Sequence, residues 1–411
     1  MSVTVRRVAA WLLPAGLAAW LLPIGLAAYI LYSTRDWHVP TGDGVPFGPT
    51  WAVIAAVGLA GWLWRVGRPS AVAVMAISAV VGMVLTDVTS FWSQGLRDWH
   101  LYLKAGTHFL EGGAVYIHAL FLVRPDDLTN YPFLYPPLTL PVFALLSLPP
   151  RPVVDAAWLV LSGGAAVWAL RRLGMGWAWV AVFLVWPPFE QGLYVGNVAI
   201  PLFALFVAAP VFGAGLILSA LFKLYSGIAT LWLPLERRWR DVAIGVGLVG
   251  AWFVLTLPVV GVDRWSEWIT SLGLYRESQP LLPGSLVGLG PARVLPQWLA
   301  AVIGLAVLVL AMPGRGGPER LWRLGVATIA ASPSLYSHGY VVAVPAILRL
   351  RAAVLWLVLG ITSVEPGVQW FYALGLIVAS WYIAAFRRES DQKPVPGDRG
   401  AALLHPVPRR A

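Results

Sequence analysis

The sequence predicts an all-α, polytopic membrane protein, and three observations carry that prediction. Of its 411 residues, 59% are hydrophobic and only 12% charged, where soluble domains carry about 45–50% and about 25%. Apolar runs recur along nearly the whole chain, many near the roughly 20 residues that a spanning helix needs. Mean hydropathy is +0.74. A water-soluble enzyme, a disordered scaffold and a disulfide-stapled module are excluded by these figures. With no cysteine, thiol chemistry and Cys-zinc sites are excluded too. Six histidines and few acidic clusters predict no metal and no cofactor.

The elements follow in order. Arg6 and Arg7 precede an apolar run, Val8–Tyr32, too long for a signal-peptide core and read as a retained span. A polar loop, 33–49, returns through Thr50–Trp64, and Pro69–Thr86 crosses again after Arg65 and Arg68. From Asp87 to about Pro152 no clean span occurs, so this is a large outer loop. Its Pro-broken end, Tyr135–Pro150, reads as a helix lying in the interface, because a span there would place Arg171 and Arg172 outside. Further runs are Val153–Leu170, Trp177–Pro188, Asn197–Val211, Gly213–Lys223, Ser226–Leu235 and Val242–Val260. After a second outer loop, 261–293, come Val294–Met312, Trp322–Ser332, Tyr340–Leu350, Ala352–Ser363 and Val368–Phe386. Several are too short to cross alone and read as half-helices, which membranes tolerate where backbone is buried in protein or lines a wet cavity. Three parts result: a hairpin over 1–69, a main module over 70–386, and a disordered cytoplasmic tail over 387–411.

The net charge of +10 does not predict nucleic-acid binding, since no basic face with interleaved aromatics exists. On this topology 20 of the 29 basic residues fall inside, the asymmetry that the positive-inside rule expects.

The polar residues gather on the other side. An ionisable group at membrane depth costs at least about 2.5–3.5 kcal/mol and is a functional candidate by default. The first outer loop carries Asp87, Asp98, His100, Lys104 and His108, and Glu190, Gln191 and Asn197 separate two short helices. Lys223 interrupts apolar sequence, and His338 lies in the polar stretch Ser332–Tyr340. In a helix begun near Arg97, positions 98, 101, 102, 105 and 109 share a face, making Asp98 and Tyr102 neighbours. Asp98 reads as a catalytic carboxylate or as that helix's cap. Residues 131–137 (YPFLYPP) read as a site element or as an interface belt with a proline turn. Lys223 calls for a phosphate or carboxylate partner, or else snorkels.

The order of these pieces resembles glycosyltransferase family 87, membrane-embedded GT-C enzymes that use polyprenyl-phosphate sugar donors. The family's Asp-x-x-x-Tyr with downstream Gly and Tyr matches Asp98, Tyr102, Gly112 and Tyr116, and its Tyr-Pro-Pro matches Tyr135, Pro136 and Pro137. Its Gly-Gln-x-Asn element is represented by Gly196 and Asn197 without the adjacent Gln. Its Lys-Pro break is represented by Lys223, with Leu224 for Pro. Its late Ser-Pro…Trp…His-His element matches Ser332, Pro333 and His338, with Tyr336 for Trp and one His. The resemblance covers roughly residues 70–386. It implies a GT-C-like bundle of about 12–14 transmembrane or half-helices with a catalytic first outer loop, in a bacterial plasma membrane with the active site facing outside. It also implies inverting transfer of mannose or an arabinose-like sugar to an outer-leaflet glycolipid or glycan. Asp98 is then the general base, with Asp87 as fallback, and His338 a second catalytic group. Lys104, Lys223, Tyr102, Tyr135 and Asn197 then bind donor phosphate or sugar. A transporter or flippase of lipid-linked sugars, and a non-catalytic assembly partner on the same fold, are the competing classes.

Overall fold

The computed structural model describes residues 59–74, 95–118, 132–278, 291, 295–310, 321–332, 335–363, 370 and 372–380. Regular structure among them is helical throughout, as apolar segments require when backbone groups can bond only within their own segment. Between residues 95 and 363 the helices are α1 (Arg97–Leu110), α2 (Leu140–Ser147), α3 (Arg151–Arg172), α4 (Trp177–Leu184), α5 (Pro187–Tyr194), α6 (Ala199–Ala208) and α7 (Ala214–Phe222). They continue as α8 (Gly227–Thr230), α9 (Trp232–Leu235), α10 (Trp239–Val260), α11 (Asp263–Ser278), α12 (Gln297–Leu310), α13 (Leu321–Ala331), α14 (Val344–Ile347) and α15 (Ala352–Ile361). Tight 3₁₀ segments occupy Pro137–Thr139, Leu224–Ser226 and Ser337–Ala343. The expected N-terminal hairpin up to 58, the fallback base Asp87 and the tail from 381 lie outside the described residues.

Two helices, α3 and α10, are long and apolar enough to cross a membrane. Both leave most of their surface outside the protein core, with Val160 on α3 and Leu255 on α10 exposed, the expected condition of lipid-facing apolar side chains. The remaining apolar helices are short. A ten-residue helix such as α6 rises about 15 Å, half of the roughly 30 Å hydrocarbon core.

Three expectations are refined. The Tyr135–Pro150 stretch forms a 3₁₀ turn and the eight-residue α2, too short to span. The run Ser226–Leu235 is no single helix but a 3₁₀ turn and two four-residue helices. The segment 261–293, expected as a second outer loop, is helical over α11. It docks on the first outer loop: Trp268 Nε1 donates to Leu134 O at 3.0 Å and Arg264 Nη2 to Gly113 O at 2.8 Å.

Small residues set the close crossings. A side chain at Gly106 on α1 would reach within 2.4 Å of the Phe143 carbonyl on α2, and one at Gly325 on α13 within 1.9 Å of Val342 O. The buried residues of α1 are Trp99, Tyr102, Leu103, Ala105 and Gly106, so Tyr102 and Ala105 of the expected 98/101/102/105/109 face are buried, and the Gly106 crossing adds the neighbouring stripe through Trp99, Leu103 and Gly106. Two packed cores result. The larger joins α4, α5, α6, α13 and the 337–343 segment, and the smaller joins α1, α2 and the first turns of α3 and α6.

Candidate active site

The site lies at the seam between the two cores, and the sequence Gly196-Asn197 builds one wall of it. Helix α5 ends in a Schellman turn: Asn197 N donates to Gly192 O at 2.8 Å and Gly196 N to Leu193 O at 3.1 Å. Gly196 supplies the left-handed residue at φ +67° that this motif requires. Asn197, the next residue, then turns the chain into α6, its Oδ1 accepting from Ala199 N at 2.9 Å.

Helix α1 meets this turn end-on. The first backbone N–H groups of a helix and the last carbonyls have no intrahelical partner; here each end satisfies the other. Leu96 N donates to Tyr194 O at 2.8 Å, and Asp98 N and Trp99 N donate to Val195 O at 2.8 and 3.2 Å. The junction is reached through Leu96 at φ 57°, a left-handed conformation costing a non-glycine residue roughly 1–2 kcal/mol. That cost is offset by three bonds that would otherwise be lost in a buried setting.

Asp98 is thereby set against Asn197. Asn197 Nδ2 donates to Asp98 Oδ2 at 2.6 Å, while Arg97 Nε and Nη2 both donate to Oδ1 at 3.1 Å. The two bonds of the Asn197 amide fix its orientation, since only the nitrogen can donate to a carboxylate. Asp98 does not cap α1, whose start has no side-chain cap.

Lys223 and His338 arrive from the other core. Lys223 ends α7 in extended backbone, φ −134°, just before the 3₁₀ turn. His338 sits in the 337–343 segment, which packs on α5 where Gly192 leaves room: a Cβ there would lie 3.2 Å from His338 Cβ. Lys223 Nζ and His338 Nε2 are 3.2 Å apart. An ammonium can only donate, so Nε2 accepts and the imidazole is neutral, its proton on Nδ1. The Asp98 carboxylate bears electrostatically on Lys223, and Lys223 and Arg97 on the His338 ring. Tyr336 stacks on that ring at 5.7 Å and 7°, and its hydroxyl meets Tyr275 of α11 at 2.5 Å.

The other sequence candidates take different places. Tyr102 is 1% exposed and bonds Tyr135 through their hydroxyls at 2.6 Å, with Phe143 stacked beneath it at 4.9 Å. Burial, with Tyr135 and Asp98 adding to it, pushes the Tyr102 phenol up from its ordinary value. Tyr116 donates to Tyr135 O at 2.8 Å. These tyrosines form the layer that supports α1. Lys104 is exposed, six residues from Asp98 and so about 120° round the helix; it is not brought to Asp98. Glu190 is buried in α5, and His108 Nδ1 faces Ala114 O at 3.1 Å. No group of three or more His, Cys, Asp or Glu side chains able to hold a metal occurs among the described residues.

The sequence model of glycosyltransferase family 87 matches residues 133–333. Over those residues the chain is similar to that family, and the match supports a glycosyltransferase. The match takes in Tyr135, Asn197 and Lys223, while Asp98 and His338 lie on either side of it. No curated protein and no solved structure matches.

Within this glycosyltransferase, sequence reasoning missed three contributors. Arg97 pairs with Asp98. Asp155 on α3 accepts from Trp99 Nε1 at 2.9 Å and pairs with His100 Nε2 at 3.1 Å. Trp158, one turn further, stacks on Trp99 at 4.2 Å and 5° and donates to Gly196 O at 2.9 Å. Asp155 and Trp158, at i and i+3 on one helix face, thus hold both walls of the Asp98–Asn197 pair. Their only sequence signal was an acidic and an aromatic residue at the polar end of a span. Burial is the main cause holding the His100 imidazole below its ordinary value, with Arg151 acting the same way and Asp155 against it.

Proposed function

We propose that the protein is a multi-pass membrane glycosyltransferase that moves a sugar from a polyprenyl-phosphate donor to an outer-leaflet glycolipid or glycan, with inversion. The single observation that carries this reading is the convergence, from three distant parts of the chain, of the Asp98 carboxylate, the Asn197 amide and the Lys223–His338 pair.

Transfer needs a proton taken from the acceptor hydroxyl as its oxygen attacks the anomeric carbon. It also needs charge stabilised on the departing phosphate. Asp98 is suited to the first task, as an acceptor-only carboxylate held by Asn197 and Arg97. Lys223 is suited to the second. An ammonium carries three N–H donors, one aimed at His338 Nε2, and fixed cations near a developing anion are where enzymes gain most. His338, neutral, positions Lys223 and adds no second positive charge beside it. The sugar fits mannose or an arabinose-like residue on the family's chemistry, and the gathering of α11 and the first outer loop around the site favours an acceptor approaching from outside.

The test is donor choice and stereochemistry with purified protein in nanodiscs. Labelled polyprenyl-phosphate mannose and polyprenyl-phosphate arabinose are each supplied beside the matching nucleotide sugars, and the product anomer is read by NMR. Transfer from a lipid-phosphate donor with inversion is expected. Transfer from nucleotide sugars alone, or retention, overturns the reading.

A further inference from the structure

We propose that Arg97 is a second donor-phosphate ligand, resting on Asp98 and passing to the phosphate when the donor binds, which frees the base as it is needed. This rests on the polyprenyl-phosphate reading above.

The placement comes first. Arg97 contacts Asp98 Oδ1 through two nitrogens at 3.1 Å, and its charge, like that of Lys223, bears on the His338 ring. Its side chain is 32% exposed, against 16% for Asp98. The guanidinium therefore covers the open side of the carboxylate, opposite Asn197. Neighbouring residues on a helix do not ordinarily face each other, so this pairing requires the Arg97 side chain to fold back along the helix start. A planar guanidinium recognises phosphate as readily as carboxylate, in a two-pronged geometry.

Charge balance supplies the second argument. With His338 neutral, Arg97, Lys223 and Asp98 carry together one positive charge, which a donor phosphodiester neutralises. In the reaction the acceptor O–H bond breaks and its proton goes to an Asp98 oxygen. The acceptor oxygen bonds the anomeric carbon, and the bond from that carbon to the phosphate oxygen breaks with its electron pair on the phosphate. Asp98 loses its negative charge and the lipid phosphate gains one. Two cations match two phosphate charges at the end, provided that Arg97 has moved from carboxylate to phosphate. Lys223 alone leaves the product phosphate half-neutralised. While Arg97 stays clamped, Oδ1 also accepts two of its N–H groups and is not open to the acceptor hydroxyl.

The experiment measures binding of a long-chain polyprenyl phosphate, and of the matching uncharged polyprenol, to the full-length protein in nanodiscs. Arg97→Gln is expected to weaken phosphate binding about 10- to 100-fold, the range of a lost charge-assisted hydrogen bond, and Arg97→Lys to restore part of it. Asp98→Asn releases the guanidinium and is expected to tighten phosphate binding several-fold in the presence of Arg97. In the Arg97→Gln background the same change should tighten binding much less, since only the loss of the carboxylate's charge beside Lys223 then acts. A residue that merely supports the fold would not show that dependence. Equal tightening by Asp98→Asn with and without Arg97, or wild-type affinity in a monodisperse Arg97→Gln protein, overturns the role of Arg97. Failure of the wild-type protein to prefer the phosphate over the polyprenol overturns the donor reading itself.

Discussion

Replacing Gly196 by alanine brings two penalties together at one atom. The residue sits at φ +67°, where a side chain costs roughly 1–2 kcal/mol. The new Cβ would lie 2.7 Å from Trp99 Cβ, 2.9 Å from Leu96 Cδ2 and 3.3 Å from Trp158 Nε1. The Leu96 contact is a flexible methyl, but Trp99 Cβ is anchored directly to the α1 backbone and cannot rotate away. Relief therefore moves the start of α1 off the end of α5. Overpacking of this kind costs about 1–3 kcal/mol, so the total is about 2–5 kcal/mol. The motion also stretches the 2.6 Å bond between Asn197 and Asp98. Loss of one charge-assisted bond of about 1.5–3 kcal/mol lowers kcat/KM about 10- to 100-fold. The assay is thermal unfolding followed by tryptophan fluorescence in detergent, with sugar transfer measured at a temperature where both proteins are folded. Gly163→Ala on α3, where an added Cβ meets nothing within 4 Å, is the control. If Gly196→Ala matches that control in both stability and transfer, the end-on junction does not position the site.

Three further outcomes follow from the same geometry. Lys223→Gln lowers kcat about 10²- to 10³-fold, the cost of removing one fixed donor from a developing anion, with a smaller change in KM; an unchanged kcat removes Lys223 from the leaving-group side. Asp155→Asn keeps shape but weakens the bonds to Trp99 and His100, lowering stability by about 1–3 kcal/mol and slowing transfer. Retained melting temperature with wild-type transfer would show that α3 does not hold α1. The His100 imidazole is held below its ordinary 6.5, chiefly by burial, so the unfolded chain takes up a proton first on acidification. Its contribution is intact above pH 6.5 and lost as pH falls below it. His100→Gln should flatten that acid limb of a melting-temperature profile, and a limb of unchanged depth excludes His100 as its cause.

The membrane class and most helices were legible because apolar run length is a one-dimensional signal. Val153–Leu170 and Val242–Val260 predicted α3 and α10 within a few residues, and the short runs predicted half-length helices such as α6 and α13. Asp98, Asn197, Lys223 and His338 stood out as polar residues in apolar surroundings, and the structure brings them together. What the sequence did not show is three-dimensional. Tyr102 and Ala105 of the face read for α1 are buried, but the close crossing with α2 at Gly106 is one that no periodicity of α1 alone contains. Tyr102 and Tyr135 read as ligand-binding residues but bond one another beneath the helix, because their partners come from separate segments. Lys104 shares a loop with Asp98 but not a helix face. Arg97 was hidden among other arginines, since a basic residue beside an outer loop looks the same whether it faces water or a carboxylate. Asp155 and Trp158 were missed because the reading of α3 stopped at its length.

The most direct measurement is sugar transfer by Asp98→Asn in purified protein, with polyprenyl-phosphate binding measured on the same sample. Asn keeps the size of the side chain and can still meet Asn197, but it cannot take up the acceptor's proton. A fall in kcat of about 10²- to 10⁴-fold, with lipid-phosphate binding tightened rather than lost, is the predicted result. Transfer at the wild-type rate would contradict the assignment of Asp98 as the base.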